Sequence, residues 1–259
     1  QGGEPAHEGA TNAKNMNMHG LILKPTLECF WAPAPVVRAQ AAIKIRAFQR
    51  RQWGAPPVQN TGMDGLKAEI AAVAARLVVE EGLEYGSAKR RAIKQMGAGA
   101  RTPLPDNLML EQAVEEYIAV FCADTQPVEL RALRVLALAW MERLARFRPH
   151  IGGAVWHGTA TRKSDIYLQL FCDDPKSAEI GLIDMNIRFE PRAVTGLHGE
   201  TVDVLSVHAF CAELGEHIGV HLLIYDFDDL RGALQPDSRG RRPRGDAAAL
   251  RRLLHDGGL

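Results

Sequence analysis

Apolar residues recur at three- and four-residue intervals through the first half of the chain and at closer, alternating intervals through the second. Leu66, Ile70, Val73, Ala74, Leu77 and Val78 form one stripe, which predicts a helix from Leu66 to Glu81 ending at Gly82. Ser87 is the expected cap of a second, basic helix, Ala88 to Met96, stopped by Gly97. Beyond the turn Thr102-Pro103-Leu104-Pro105-Asp106, a third helix carries Leu110, Val114, Tyr117, Ile118 and Phe121 and closes before Asp124. A fourth begins near Val128 and aligns Leu130, Leu133, Ala137, Trp140, Met141 and Leu144. Together they predict a helical domain over residues 63–148.

The period changes after Pro149. Short apolar runs predict strands over His150–Val155, Asp165–Phe171, Glu179–Ile187, Thr201–Val207 and Val220–Tyr225. Ala209 to His217 reads as a helix, Asp228 as the cap of a helix reaching Leu234, and Asp246 to Leu254 as a terminal helix. This succession predicts an α+β fold: an N-terminal helical bundle, a small mixed-sheet core over 149–238, and a basic tail over 239–259. Residues 1–62 stand apart, rich in Gly, Asn, Pro and Ala and interrupted by Pro33, Pro35, Pro56 and Pro57, and are expected to be mostly disordered. Val37 to Arg51 reads there as a short basic amphipathic helix, and Met63 as a natural start that would make the leading segment an over-extended translation.

Composition narrows the function classes. With 259 residues, 46% of them hydrophobic, the chain can bury a substantial core. No apolar run reaches the roughly 18 residues that span a bilayer, and the start lacks a signal-peptide pattern, so a cytoplasmic protein without membrane contact is expected. Cys29, Cys122, Cys172 and Cys211 are scattered without a C-x-x-C pair and read as free thiols. His208 and Cys211 fall three apart on the expected helix while His221 falls in a strand, so His208, Cys211, His217 and His221 do not read as a zinc site.

The zero formal charge hides an acidic body. Residues 1–62 carry seven Lys/Arg against three Asp/Glu, residues 63–238 carry eighteen against twenty-six, and the tail carries six Arg against Asp246 and Asp256. Nucleic acid is therefore not the expected partner, because coating a phosphate backbone needs a basic face. The run Arg239-Gly-Arg-Arg-Pro-Arg244 and the group Lys89, Arg90, Arg91 and Lys94 read as solvated surface, and Trp140 and Trp156 as core or pocket wall. The phosphate loop G-x-x-x-x-G-K-[ST] is absent from the sequence.

The chemistry gathers at Gly152-Gly153-Ala-Val-Trp-His157-Gly158, followed by Ser164-Asp165-Ile-Tyr167 opening a strand. A glycine pair permits close backbone approach to a phosphate, and alternation puts Asp165, Tyr167 and Gln169 on one strand face. This stretch resembles the signature of the nucleotidyltransferase superfamily, a Gly-Gly loop followed by Ser-Asp-x-Asp at a strand head, over about residues 150–234. The resemblance extends to Glu213 through Asp226, where the family's third carboxylate corresponds to His221. It is also similar in layout to a bacterial family with a helical front half and a core ending in Asp228-Asp229-Leu-Arg-Gly-Ala-Leu234.

The resemblance implies that Gly152, Gly153, His157, Gly158 and Ser164 bind a nucleotide, and that Asp165 is the catalytic and metal-binding carboxylate, with Mg²⁺ as the cation. Tyr167 and His221 stand where the other two carboxylates belong, so two-cation chemistry lacks two of its three ligands. Asp184, Asp203 and Asp226 are the spare carboxylates. The expectation is a nucleotide-binding protein with transfer of a nucleoside monophosphate weak, altered or lost. The alternative is a non-catalytic interaction or regulatory module that engages a protein partner through its helical domain.

Overall fold

Each helix of the first half forms where an apolar stripe meets a stop signal. In the computed structural model, which describes residues 61–99, 101–196, 199–236 and 240–256, α1 spans Thr61–Glu81, α2 Tyr85–Gln95, α3 Asn107–Phe121 and α4 Gln126–Arg143. The expectations for the leading segment up to residue 60 lie outside the described residues, which all belong to the unit 59–259. Gly82 closes α1 at φ 71°, and its N–H returns to the Val78 carbonyl.

Two details of the helices differ from expectation. Ser87 lies inside α2 and does not cap it; Glu84 holds the cap position, and Tyr85 packs on the bundle core and brings the helix start forward. Lys89 is buried rather than solvated, its ammonium donating to the Pro105 carbonyl at 2.8 Å and to Asn107 Oδ1 at 2.7 Å. Burial lowers its pKa. These bonds tie the proline turn to the bundle just ahead of Asp106, which caps α3 through Met109 N–H.

Ile70, Ala74, Leu77, Leu110, Val114 and their neighbours give α1 to α3 a core of their own, whereas α4 buries Leu133, Ala137, Trp140 and Met141 in the core of the sheet. The sheet has six strands: β1 His150–Gly152, β2 Ile166–Cys172, β3 Glu190–Thr195, β4 Thr201–Cys211, β5 Glu216–Asp226 and β6 Arg244–Gly245. Their order is β3-β4-β5-β2-β1-β6, with β2 and β5 parallel and every other pair antiparallel. The α+β architecture is as the sequence predicts. Among the described residues no helix is long and apolar enough to cross a membrane.

Four elements of the second half correct the sequence reading. Residues 179–184 belong to a helix, α6 Pro175–Asp184, because Pro175 and the Asp174 cap start it and Ala178, Gly181 and Leu182 bury at helical spacing. Residues 209–217 are the end of β4, the hairpin turn 212–215 and the start of β5; Leu205, Val207, Ala209 and Cys211 keep burying every second side chain, so His208 and Cys211 share a strand. β1 stops at Gly152, and α5 Gly153–His157 follows at once. Asp226, not Asp228, provides the aspartate cap before the short helix α7 Leu230–Ala233, accepting from Asp228 N–H at 3.1 Å. The last helix, α8 Ala247–Asp256, is capped by Asp246, which accepts from Ala249 N–H at 2.7 Å.

The two faces of the sheet differ in chemistry. One face sends Ile151, Leu168, Leu170, Leu205, Val207, Val220 and Leu222 into the core with α4. The other carries the polar row described next, closed at one end by Phe171, Val202, Tyr225 and Ala233.

Candidate functional site

Register sets the site. Arg244 pairs with Gly152, Gly152 with Tyr167, Tyr167 with His221, His221 with Ser206, and Ser206 with Glu190, so one transverse row crosses all six strands. Asp165, one step before β2, lies beside this row. Its Oδ1 accepts from Gly219 N–H at 3.1 Å, and its Oδ2 is 3.2 Å from His221 Nε2. The positions Asp165, Tyr167 and His221 are thus neighbours on one sheet face, with the Tyr167 and His221 rings 4.9 Å apart.

Glycine at 219 permits this approach. A Cβ there would sit 2.6 Å from Asp165 Oδ1, closer than any side chain tolerates. On the other side of His221, Nδ1 is 3.0 Å from Ser206 Oγ. Serine, histidine and aspartate therefore form a hydrogen-bonded chain, but Ser206 is 3% exposed within β4 and its hydroxyl cannot meet a substrate. The imidazole bridges the two, with Nε2 facing Asp165 and Nδ1 facing the Ser206 hydroxyl. Ser206 holds the ring in place.

The electrostatics follow from these contacts. Hydrogen bonding to His221 holds the Asp165 carboxyl below the usual carboxylate range against the opposing effect of burial; the His221 charge, Gly219 N–H and the charge of His208 add to the lowering. Among the described residues no carboxylate is among the groups that shift Asp165. Tyr167 moves the other way: burial, then the charges of Glu84 and Asp165, raise its phenol well above its ordinary value, and its hydroxyl donates to Glu84 Oε1 at 3.3 Å. It is neutral at pH 7 and a poor ligand for magnesium.

The glycine turn has its own geometry. Gly152 is extended at φ −135°, Gly153 enters the left-handed region at φ 66°, and Gly158 ends α5 at φ 93°. The last two positions require glycine for backbone reasons alone. Arg134 closes α5 from below, donating from Nε to the Val155 carbonyl at 3.1 Å and from Nη2 to that of Trp156 at 3.3 Å. Gln126 donates to the Gly158 and Ala160 carbonyls at 2.8 and 2.9 Å, and Ser164 Oγ accepts from Thr161 N–H at 3.0 Å. His157 is the last residue of α5, and Arg162 is paired with Glu216 at 3.1 Å.

The spare aspartates lie elsewhere: Asp226 caps the turn after β5, Asp184 lines a cavity of about 340 Å³ beneath α6, and Asp203 stands opposite Ala193 at the exposed end of the sheet. Among the described residues, cavities of about 340, 630 and 700 Å³ are lined by residues other than Gly152, Gly153, Asp165, Tyr167 and His221. Among the described residues no three His, Cys, Asp or Glu side chains converge on a metal position. The donor set of one carboxylate, one imidazole and one neutral phenol does not fit a two-magnesium centre, which needs hard, charged oxygens.

Sequence reasoning did not reach three members of this cluster. Gly219 had a signal, since a lone glycine inside an apolar strand marks a close backbone approach. Ser206 interrupts a strand of buried apolar residues and could have been singled out on that ground. Glu84 had none, because 83 residues separate it from Tyr167.

No protein-family model and no curated protein matches the sequence. Among solved structures, that of a cytoplasmic RNA terminal U-transferase is similar to part of this chain at 15% identity, covering 46% of this chain and 39% of that one, with a TM-score of 0.30. The chain thus spans well under half the length of that protein, and a likeness of this size assigns neither activity nor substrate.

Proposed function

We propose that the protein is nucleotidyltransferase-like: it binds a nucleotide beside the Gly152–Gly153 turn, with transfer of a nucleoside monophosphate weak, altered or lost. The observation that carries the reading is the register, which makes Gly152, Tyr167 and His221 direct neighbours and hangs Asp165 beside them. Gly152 and Tyr167 lie 15 residues apart and Tyr167 and His221 54 apart, yet all three fall on one polar face. Asp165, ionised at neutral pH, supplies one oxygen ligand to a cation that arrives on the nucleotide's own phosphates, the mode in which magnesium needs only one or two protein carboxylates. Gly152, Gly153, His157, Gly158 and Ser164 are the nucleotide contacts in this reading.

Thermal unfolding with nucleoside triphosphate and Mg²⁺ or Mn²⁺ tests it. At a ligand concentration near 100 times Kd, binding stabilises by about 2.7 kcal/mol, which for a domain of this size raises Tm by roughly 5–10 °C. Asp165→Ala should remove the metal-dependent part of that rise. No shift with any of the four ribonucleotides would refute the reading.

One observation favours a second reading, a non-catalytic module that meets a protein partner through its helices. Val128 is 68% exposed, and Leu104, Leu108 and Val120 are exposed on the same helical half. A partner contact there leaves the melting temperature indifferent to nucleotide.

A further inference from the structure

The largest of the three cavities, about 700 Å³, lies at the β6 edge of the sheet between β1, α8 and the segment after α7. Its volume is within the range of small-molecule sites. Arg242, Arg244 and Arg252 all line it, beside an apolar wall of Trp156, Leu234 and Leu253. Guanidinium groups set around a concavity repel one another unless something anionic lies between them.

The state of these cations is informative. Among the described residues, neither the Arg242 nor the Arg252 guanidinium has an ion-pair or hydrogen-bond partner, whereas the neighbouring Arg241 is paired with Glu111 and Arg251 with Glu142. Arg244 donates from Nη1 to the Ala233 carbonyl, yet its Nε is buried without any partner. Burial lowers the Arg244 pKa, the sign of a cation held out of water. A buried donor left open costs about 1–3 kcal/mol unless a ligand or water closes it. Asp246, which also caps α8, and Asp256 line the cavity as well and offset part of the cationic charge, leaving three guanidinium groups against two carboxylates.

The apolar wall is closely fitted. Trp156 packs against Gly245, where any Cβ would fall 2.2 Å from the ring, and its indole N–H donates to the Arg242 carbonyl at 2.8 Å. This bond ties the ring to the segment that carries the arginines. A planar group entering the cavity meets the indole and leucine wall while its anionic head meets the guanidinium groups.

We infer that this cavity is a binding site for a small phosphorylated molecule with a planar apolar body, held by Arg242, Arg244 and Arg252 against Trp156. The site adjoins the proposed nucleotide turn, since Arg244 pairs with Gly152, but Asp165 does not line it. Arg242 and Arg252 are exposed, so removing them leaves the fold intact; Arg244 also holds the Ala233 carbonyl and is left in place.

The test uses the full chain, with phenyl phosphate, inorganic phosphate and phenol as probes at constant ionic strength. Binding is read by calorimetry and by the Trp156 indole N–H resonance, identified with Trp156→Phe. Phenyl phosphate should bind saturably and move that resonance, inorganic phosphate should bind more weakly, and phenol should not bind. The pair Arg242→Ala and Arg252→Ala together should weaken phenyl phosphate by at least about tenfold, since each removes a charge-assisted contact. Asp165→Ala should leave the affinity unchanged, which separates this site from the nucleotide reading. Failure of phenyl phosphate to bind, equal binding by the double variant, or equal binding of phenol would overturn the assignment.

Discussion

Replacing Gly219 by alanine tests the Asp165 cluster at its tightest contact. Alanine in a strand normally stabilises relative to glycine by roughly 0.5–1 kcal/mol, because the unfolded chain loses freedom. Here the new methyl would lie 2.6 Å from Asp165 Oδ1 and 2.8 Å from its Cγ. The obstacle is the free end of a side chain, so the carboxylate turns away while the strands stay in place. That rotation breaks the bonds from Gly219 N–H and His221 Nε2.

Hydrogen bonds to a charged group are worth about 1.5–3 kcal/mol each when buried. Asp165 is 48% exposed, and water replaces much of the loss, which leaves about 1–2 kcal/mol for the pair. At the middle of both ranges the loss outweighs the alanine gain, so Gly219→Ala should destabilise by roughly 0.5–1 kcal/mol at neutral pH.

The pH dependence fixes the cause. The folded pKa of Asp165 is depressed, so its contribution is present above the unfolded value near about 4 and disappears as pH falls through the folded value. In acid only the glycine effect remains, and the variant should match or exceed the wild type. Urea unfolding at about pH 7 and at a series of values falling toward about pH 2 follows the loss. A variant as stable as the wild type at neutral pH, or a deficit unchanged in acid, would refute the reasoning.

Other predictions follow from single contacts. Gln126→Ala removes two hydrogen bonds that hold the Gly158 and Ala160 carbonyls and should cost about 1–3 kcal/mol by denaturant titration, because Gln126 is 7% exposed and water does not replace them. Gly82→Ala should cost more than about 1 kcal/mol, since φ is 71° and the methyl would meet the Lys163 backbone carbonyl at 2.5 Å, an atom that cannot rotate aside. Lys89 has a folded pKa below 10.5, so between the two values the unfolded chain binds more protons and wild-type stability rises with pH. Lys89→Met should lack that rise when both proteins are unfolded at a series of pH values approaching 10.5.

The sequence made the helical half legible because burial there obeys one period: Ile70, Ala74, Leu77, Leu110, Val114 and Leu133 are all fully buried. It misled where apolar residues face water. Ile180 and Ile183 are 54% and 60% exposed on α6, and these surface isoleucines gave residues 179–187 the look of a strand. The β4–β5 turn misled differently, since Ala212, Glu213 and Leu214 favour helices while strand pairing on both sides decides the structure.

That Asp165 and Tyr167 share a face was legible from strand alternation, and His221 was expected beside them only through the family resemblance; the parallel pairing of β2 with β5 is what brings it there. What sequence spacing does not encode is the bundle's reach to the sheet, where Glu84 meets Tyr167. Nor does it encode how tightly His221 and Gly219 engage the carboxylate expected to hold a cation.

The central claim is that a nucleotide brings a cation to Asp165 beside the glycine turn. Paramagnetic broadening by Mn²⁺, followed by ¹⁵N spectroscopy with and without nucleoside triphosphate, tests it most directly. The account predicts nucleotide-dependent loss of the Gly152, Gly153 and Gly219 amide signals, abolished by Asp165→Ala. Broadening that ignores the nucleotide, or that strikes the Arg242 to Arg252 region and spares these three glycines, would contradict it.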